Sequence, residues 1–512
     1  MAFNRMAWRL ALRNYDAGGY GRLNDGWNAI NTTGPLMDRT DRDIIRARAQ
    51  DLERNSDISE SIIRAFIRNV VGSGFRLQAR IKGKDGALDE ALNTCVEDAW
   101  KEFCKPRNCD IQGRQSFSEM CRMAVRRLRV DGGICIIKTY TSSGSVPLKL
   151  QMKEVSELDT TLQMTQYKNG NYIVDGIEVD GVGRHVAYWF RRYTPDGYQQ
   201  IDSERITADR VIYLQKFTRP SQVREMCPMT QTITRIRDTN QYMEAVSVQA
   251  RIAACLCIFF KKILPGTFGR GAAATKSDTT SGYEGQTISP GMMLYGQPGE
   301  EATAINPPAI GSSAKEMLAI QQRLAGSGQG LSYETTSRDM SQTNYSSARQ
   351  GLIEDGQEYE IEQQYLIDHL LSEVYTSFLI ALALVGAMST VTVTELLADK
   401  SRYMAHEFIP KGRMWIDPLK ESMANKVALE TGQTTLARIC AGAGTDWQEE
   451  AQQRAREIEY MKSLGIMVDA TLTVDASAVA DDNARAMSTV NKLLDAQLLK
   501  MCADNGGDVN AE

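Results

Sequence analysis

The chain has 512 residues, 42% of them hydrophobic, and a formal net charge of −5 at neutral pH. That length exceeds one ordinary compact core, so several domains, or one domain with long projections, are expected. The acidic balance excludes a protein that grips nucleic acid through a broad basic surface, although a local basic stripe remains compatible with it. Ten cysteines without a C-x-x-C pair, together with only three histidines, do not make a zinc set. The thiols are read as reduced and mostly buried, in a cytosolic protein.

The first residues carry a turn or two of basic amphipathic pattern but neither the apolar core nor the cleavage site of a signal peptide. Residues 18–35, rich in Gly, Asn and Asp, read as a loose linker, so 1–35 form an N-terminal arm. Thr40 is the expected N-cap of an Arg-rich helix over 41–54, and Ser56 or Asp57 caps a second through Val71. On that second helix Ile62, Ile63, Phe66, Ile67, Val70 and Val71 share a face that must be buried, and Gly72 and Gly74 stop it. Two more helices follow, one through Leu88, Leu92, Val96, Trp100 and Phe103, the other through Phe117, Met120, Ala124 and Leu128.

From Ile134 the period becomes that of strands: 134–140, 148–152, 172–174, 185–193 and 211–217 are β-branched or aromatic runs separated by turn residues. The fold class is therefore α+β. After Pro228 a single helix is expected over 229–262, with Arg235, Arg237, Arg251, Lys261 and Lys262 dominating its charge; a solvated basic face on a packed helix accounts for them equally well. Residues 265–308 change to Gly, Ser, Thr and Pro around short strands, a small β-rich projection.

A short helix over 313–324 leads into the polar, glycine-rich stretch 326–349, GSGQGLSYETTSRDMSQTNYSSAR. It lies between two helical segments and has no apolar face to bury, so spacing alone describes a mobile surface loop. A helix resumes near Ser346 and runs past Tyr375. Glu354, Glu358 and Glu362 recur along it at i+4; an acidic or salt-bridged face explains them better than a metal site. The apolar run 378–388 is about half the roughly 20 residues of a membrane span and reads as a core helix, with no membrane anchor. Asp417 with Pro418, and Thr445 through Gln448, open further helices, and 484–500 carries a last one before a disordered tail.

No phosphate-cradling G-x-x-x-x-G-K-[ST], no G-x-S-x-G elbow and no H-E-x-x-H pair occurs, so neither cofactor nor metal is expected, and His185, His369 and His406 are read as structural. An enzyme, such as a packaging nuclease or ATPase subunit with dispersed carboxylates, is the competing reading, and a connector or minor capsid protein is a third.

Three stretches, 46–77, 329–349 and 412–421, resemble the lambda-type portal proteins of tailed bacteriophages. The second is the most specific: an aliphatic-Ser-Tyr-Glu at Leu331 to Glu334, then Tyr-Ser-Ser-Ala-Arg at Tyr345 to Arg349. The resemblance implies a non-enzymatic ring, usually of about twelve subunits, at one capsid vertex of the virion, assembled in the host cytoplasm. It implies an α/β wing over 36–228, a stem helix over 229–262, a clip over 263–312, a second stem helix over 313–325, a tunnel loop over 326–345, a long wing helix with the wing's return over 346–445, and a helical crown over 446–512.

The implied partners are further copies of the chain, double-stranded DNA, the terminase large subunit, head-tail connectors, and the major capsid and scaffold proteins. The implied channel residues are Gly328, Gln329, Ser332, Thr335, Thr336, Ser337, Arg338, Ser341, Gln342, Asn344 and Arg349 in the loop, and Arg235, Arg237, Arg251, Lys261 and Lys262 on the stem. About twelve copies at −5 each sum to about −60, a surface that on balance repels phosphate and so suits a sliding duplex.

Overall fold

The computed structural model describes residues 31–142, 144–164, 166–194, 196–254, 257–262, 300–305, 312–341, 344–388, 391–412 and 418–464. Residues 1–30 of the arm expected over 1–35, most of the expected clip, the helix start at Trp415 to Asp417, and the last helix and tail lie outside them. The chain divides into two units, Met1–Asp446 and Trp447–Glu512.

The first unit opens with α1, Gly34–Asn55, which begins several residues before the expected Thr40 cap. Pro35 sits in its first turn, where the missing N–H costs nothing, so the helix recruits part of the predicted linker. Helix α2, Asp57–Phe66, is capped by Ser56 as expected, then widens into a π-helical turn at Ile67–Val71. Gln363 donates to the carbonyls of Asn69 and Val70 at 3.0 and 3.3 Å, satisfying groups that the wider turn presents. Strand β1, Arg76–Ala79, follows, then α3, Glu90–Phe103, capped by Asp89, and α4, Phe117–Val130, closed by a capping box between Ser116 and Glu119.

The strands come next: β2 Gly133–Tyr140, β3 Leu148–Glu154, β4 Tyr172–Val174, β5 Ile177–Val179, β6 His185–Tyr193, β7 Gln199–Thr207 and β8 Val211–Gln215. They form an antiparallel sheet in the order β3-β2-β8 and an antiparallel meander β4-β5-β6-β7. β2 explains its own uninterrupted apolar run. Ile134 and Ile136 enter a large core shared with the helices, while Cys135 and Ile137 enter a second core with Ile177, Tyr188 and Phe190. A strand buried on both faces has no polar alternation to show.

The expected single helix over 229–262 is not what forms. After a 3-10 turn at Pro228–Gln231, α5 spans Ile233–Ala254, and the chain then becomes strand β9, Cys257–Lys262, paired antiparallel with β10, Glu300–Ile305. The run Cys257 to Phe260 is β-branched and aromatic, and its strand preference outweighs the helical spacing carried over from α5. Helix α6, Ser312–Ser327, and the short α7, Tyr333–Ser337, lead to α8, Tyr345–Leu366, a π-helical turn at Ile367–Leu371, and α9, Ser372–Leu384.

From α8 to α9 the backbone is one helical rod of about 60 Å. It is long and apolar enough to cross a membrane by composition, but 61% of its most apolar stretch is buried inside the chain. Trp100 of α3 packs edge-on against Phe117, Tyr375 and Phe378 with centroids 5.1–5.9 Å apart, which fixes α9 in the core. Strand β11, His406–Ile409, pairs antiparallel with the distant β1, and α10 Pro418–Glu430 and α11 Leu436–Ala443 complete the unit. In the second unit, α12 spans Trp447–Ser463, close to the helix expected there.

Among the described cysteines Cys109, Cys121, Cys135 and Cys227 are buried, Cys104 and Cys440 are half-buried and Cys95 is exposed, and none is in a disulfide. Burial raises the Cys109 thiol to about 12, aided by the neighbouring Asp110 carboxylate, which leaves it inert.

Candidate functional site: the loop between α6 and α8

The stretch expected to be one open loop is partly folded. α6 runs on to Ser327, and a tight turn brings Leu331 N back to the carbonyl of Gly326 at 2.9 Å. A Cβ at Gly326 would stand 2.8 Å from Thr336 Oγ1 and 2.9 Å from the Leu331 carbonyl, so only glycine allows this return. Gly330 has φ +72 and lies against the Glu358 side chain. Ser332 then caps α7 through Thr335 N, and α7 ends at Arg338, a non-glycine residue at φ +57.

Asp355, on the first part of α8 and 2% exposed, holds this small helix from behind. Its Oδ1 accepts from Ser332 N at 2.7 Å, and its Oδ2 accepts from Ser332 Oγ at 2.7 Å and Thr335 Oγ1 at 2.5 Å. On the other side Ser61 Oγ donates to the Thr336 carbonyl at 2.8 Å. The Gln329 amide reaches the Pro228 carbonyl and Thr232 Oγ1, both at 3.2 Å, tying the turn to the start of α5.

The predicted loop residues therefore separate. Gly328, Arg338, Ser341, Asn344 and Arg349 are exposed. Gln329 and Thr336 are buried, and Ser332, Thr335 and Ser337 are half-buried with their hydroxyls engaged within the chain; Gln342 lies outside the described residues. Composition could not separate these groups, because a serine that serves a buried carboxylate and one that serves water look alike in sequence. Asp355 was missed for the same reason.

The stem residues separate as well. Arg237 and Arg251 on α5 are exposed and fourteen positions apart, about 40° around the helix, whereas the half-buried Arg235 lies about 160° from both. Lys261 and Lys262 are on β9, not on a helix, in register with Glu301 and Glu300 of β10.

The three glutamates spaced at i+4 on α8 separate too, with Glu358 4.0 Å from Arg129. Glu362 is buried and accepts from both Arg129 and Lys216, Arg129 stacks on Phe66 at 3.4 Å, and Glu354 accepts from Gln350 at 2.8 Å. Among the described residues no group of three His, Cys, Asp or Glu is placed to hold a metal. His406 bridges the Met404 carbonyl and Ser372 Oγ, and His185 contacts Tyr188, where burial lowers its pKa. Both are structural residues.

Residues 20–363, which contain β1 to β10 and α5, α6 and α7, match the model of the phage portal protein, lambda family, and the chain belongs to that family. It is 27% identical to the probable portal protein of Halomonas phage phiHAP-1 over 87% of this chain and 86% of that one. It is 25% identical to the portal protein of Escherichia phage N15 (90% and 93% covered) and 24% identical to portal protein B of Escherichia phage lambda (82% and 84% covered). Among solved structures it is similar to a chain of the virion of a native gene transfer agent particle, with TM-score 0.41 and 12% identity over 79% of this chain and 99% of that one. A chain from the neck of the native particle, computed with C12 symmetry, gives TM-score 0.41 and 13% identity over 77% and 93%. The protein is a phage portal protein of a structural family.

Proposed function

We propose that about twelve copies of the chain close into a ring at one capsid vertex of the virion. In this reading the ring is the conduit for double-stranded DNA during packaging and ejection. It also docks the terminase large subunit and later the head-tail connectors, while the wing meets the major capsid and scaffold proteins, with assembly in the host cytoplasm. The two-strand unit of β9 and β10 roots the clip, α5 and α6 form the stem, and the crown begins near residue 446. No catalytic step is assigned to any residue.

One observation carries the ring. Met317, Ile320 and Leu324 make a row on α6, each between two-fifths and one-half exposed, and Tyr242, Met243 and Val248 on α5 are similarly uncovered. Two paired helices cannot bury such rows by themselves, and a neighbouring copy can. Arg237, Arg251, Arg338 and Arg349 remain free of any assigned structural duty. Basic groups this sparse touch a phosphate backbone locally without reading bases or holding it.

Electron microscopy and native mass spectrometry of the full-length protein test the proposal. The expected result is a ring of about twelve copies with an axial channel of roughly 20 Å or more, and its loss in Ile320→Glu with the subunit still folded. A wild-type protein that stays monomeric across salt conditions sinks the ring.

A further inference from the structure

We propose that residues 331–337 are a flap, hinged at the two left-handed positions Gly330 and Arg338 and fastened shut by the carboxylate of Asp355. The segment is short, internally rigid and bracketed. Ser332 caps α7 at its start, Thr336 Oγ1 and Ser337 Oγ donate to the Ser332 and Tyr333 carbonyls, and Arg338 N closes the end on the Glu334 carbonyl at 2.8 Å. Its ends are the two positions where the backbone leaves helical geometry, with φ +72 at Gly330, a glycine free to adopt other conformations, and +57 at Arg338.

Much of what holds the flap down is polar. Asp355 takes three hydrogen bonds from Ser332 and Thr335, and Ser61 adds one to the Thr336 carbonyl. The packing contacts are Leu331, buried at the hinge itself, Thr336, buried against Gly326, and Tyr333, whose ring lies 5.0 Å from the Arg323 guanidinium. Gly351 adds the close fit: a Cβ there would already stand 3.4 Å from the Ser332 Cβ, so α8 admits α7 near its own backbone. Donors facing one carboxylate can exchange that partner for water when the segment lifts, so release costs far less than opening an apolar core. A buried carboxylate with three donors also makes the shut state specific in position.

The chemistry gives a two-position device whose main fastening is Asp355. Shut, it holds Arg338 at a fixed place on the surface; open, it frees Arg338 and the following residues together. The consequence for a DNA channel rests on the portal reading above, whereas the flap itself does not.

Limited trypsin digestion of the full-length protein at native pH, reading cleavage after Arg338, tests the device, with hydrogen–deuterium exchange of the peptide covering 329–341 read in parallel. Asp355→Ala is expected to raise both rates about tenfold or more while the thermal transition of the whole chain persists. Asp355→Asn, which keeps the shape but turns one acceptor into a donor, should give a smaller rise. Glu354→Ala, one residue away and exposed, should give none.

If Asp355→Ala does not fold, Ser332→Ala combined with Thr335→Val removes the hydroxyl donors from the flap side, and the same rise is expected. Rates within about twofold of the parent in a folded variant of either kind overturn the flap. Loss of rings in the microscope with the tryptic difference intact overturns the portal geometry alone, and intact rings with a flat tryptic profile overturn the flap alone.

Discussion

Glu362 shows what individual side chains contribute. It is buried between Arg129 and Lys216, and Arg129 also stacks on Phe66, so one carboxylate on α8 joins α4 and the residue that follows β8. Neutralising it would leave the buried Arg129 with Glu358, at 4.0 Å, as its remaining carboxylate neighbour. Glu362→Gln is expected to cost about 2–3 kcal/mol in urea unfolding, less than the loss of a fully buried partner because Lys216 is one-third exposed and Arg129 keeps Glu358 nearby. A change within about 0.5 kcal/mol would mean that the site is open to solvent. The i+4 spacing of Glu354, Glu358 and Glu362 was plain in the sequence, and so was the preference for salt bridging over metal. Which glutamate was buried, and with which cations, was not.

Individual elements were the best-predicted level. Ser56 caps α2 as expected, and Asp89 and the Ser116–Glu119 box, not singled out in the sequence, obey the same short-range rules, because capping involves neighbours within four residues. Errors arose where an element's partner was remote. β1 carries no strand signal of its own and exists because β11 pairs with it from Arg76↔Ile409 to Ala79↔His406. The π-helical turn in 67–71 is likewise completed by Gln363 from α8. Gln363→Ala should uncover those carbonyls and cost about 1–2 kcal/mol, with faster amide exchange confined to 67–74. Exchange that rises uniformly over the chain would instead indicate global loosening.

For the molecule as a whole, charge buried between the two sheets and α1 sets its response to acid. Burial alone would raise Glu225, but the adjacent Arg224 guanidinium, with Arg46 and Arg42, brings it down to about 2. Burial opposes Asp159 in the same way, and hydrogen bonds from Ser203, Thr161 and Arg191 bring it to about 2. Both carboxylates are depressed relative to the unfolded chain, so the stability they contribute is complete above their ordinary values of 4.5 and 3.8. It is lost as pH falls toward 2. Thermal unfolding followed from pH 6 to about pH 2 should show Tm falling most steeply below about pH 4.5. Asp159→Asn should flatten part of that fall, and a flat profile would show that these groups ionise alike in both states.

The sequence alone determined the α+β class, several helix starts, the strand at 134–140 and the family, through the motif at Leu331 to Glu334 with Tyr345 to Arg349. Each of these depends on residues close together in the chain, and periodicity and caps report on such neighbours directly. Only the tertiary structure decided that α5 gives way to a strand at Cys257, that Gln329 and Thr336 turn inward, and that Asp355 sits behind the loop. Those outcomes depend on which distant group satisfies a given donor or covers a given face. A local pattern shows that a partner is needed, but folding selects which one.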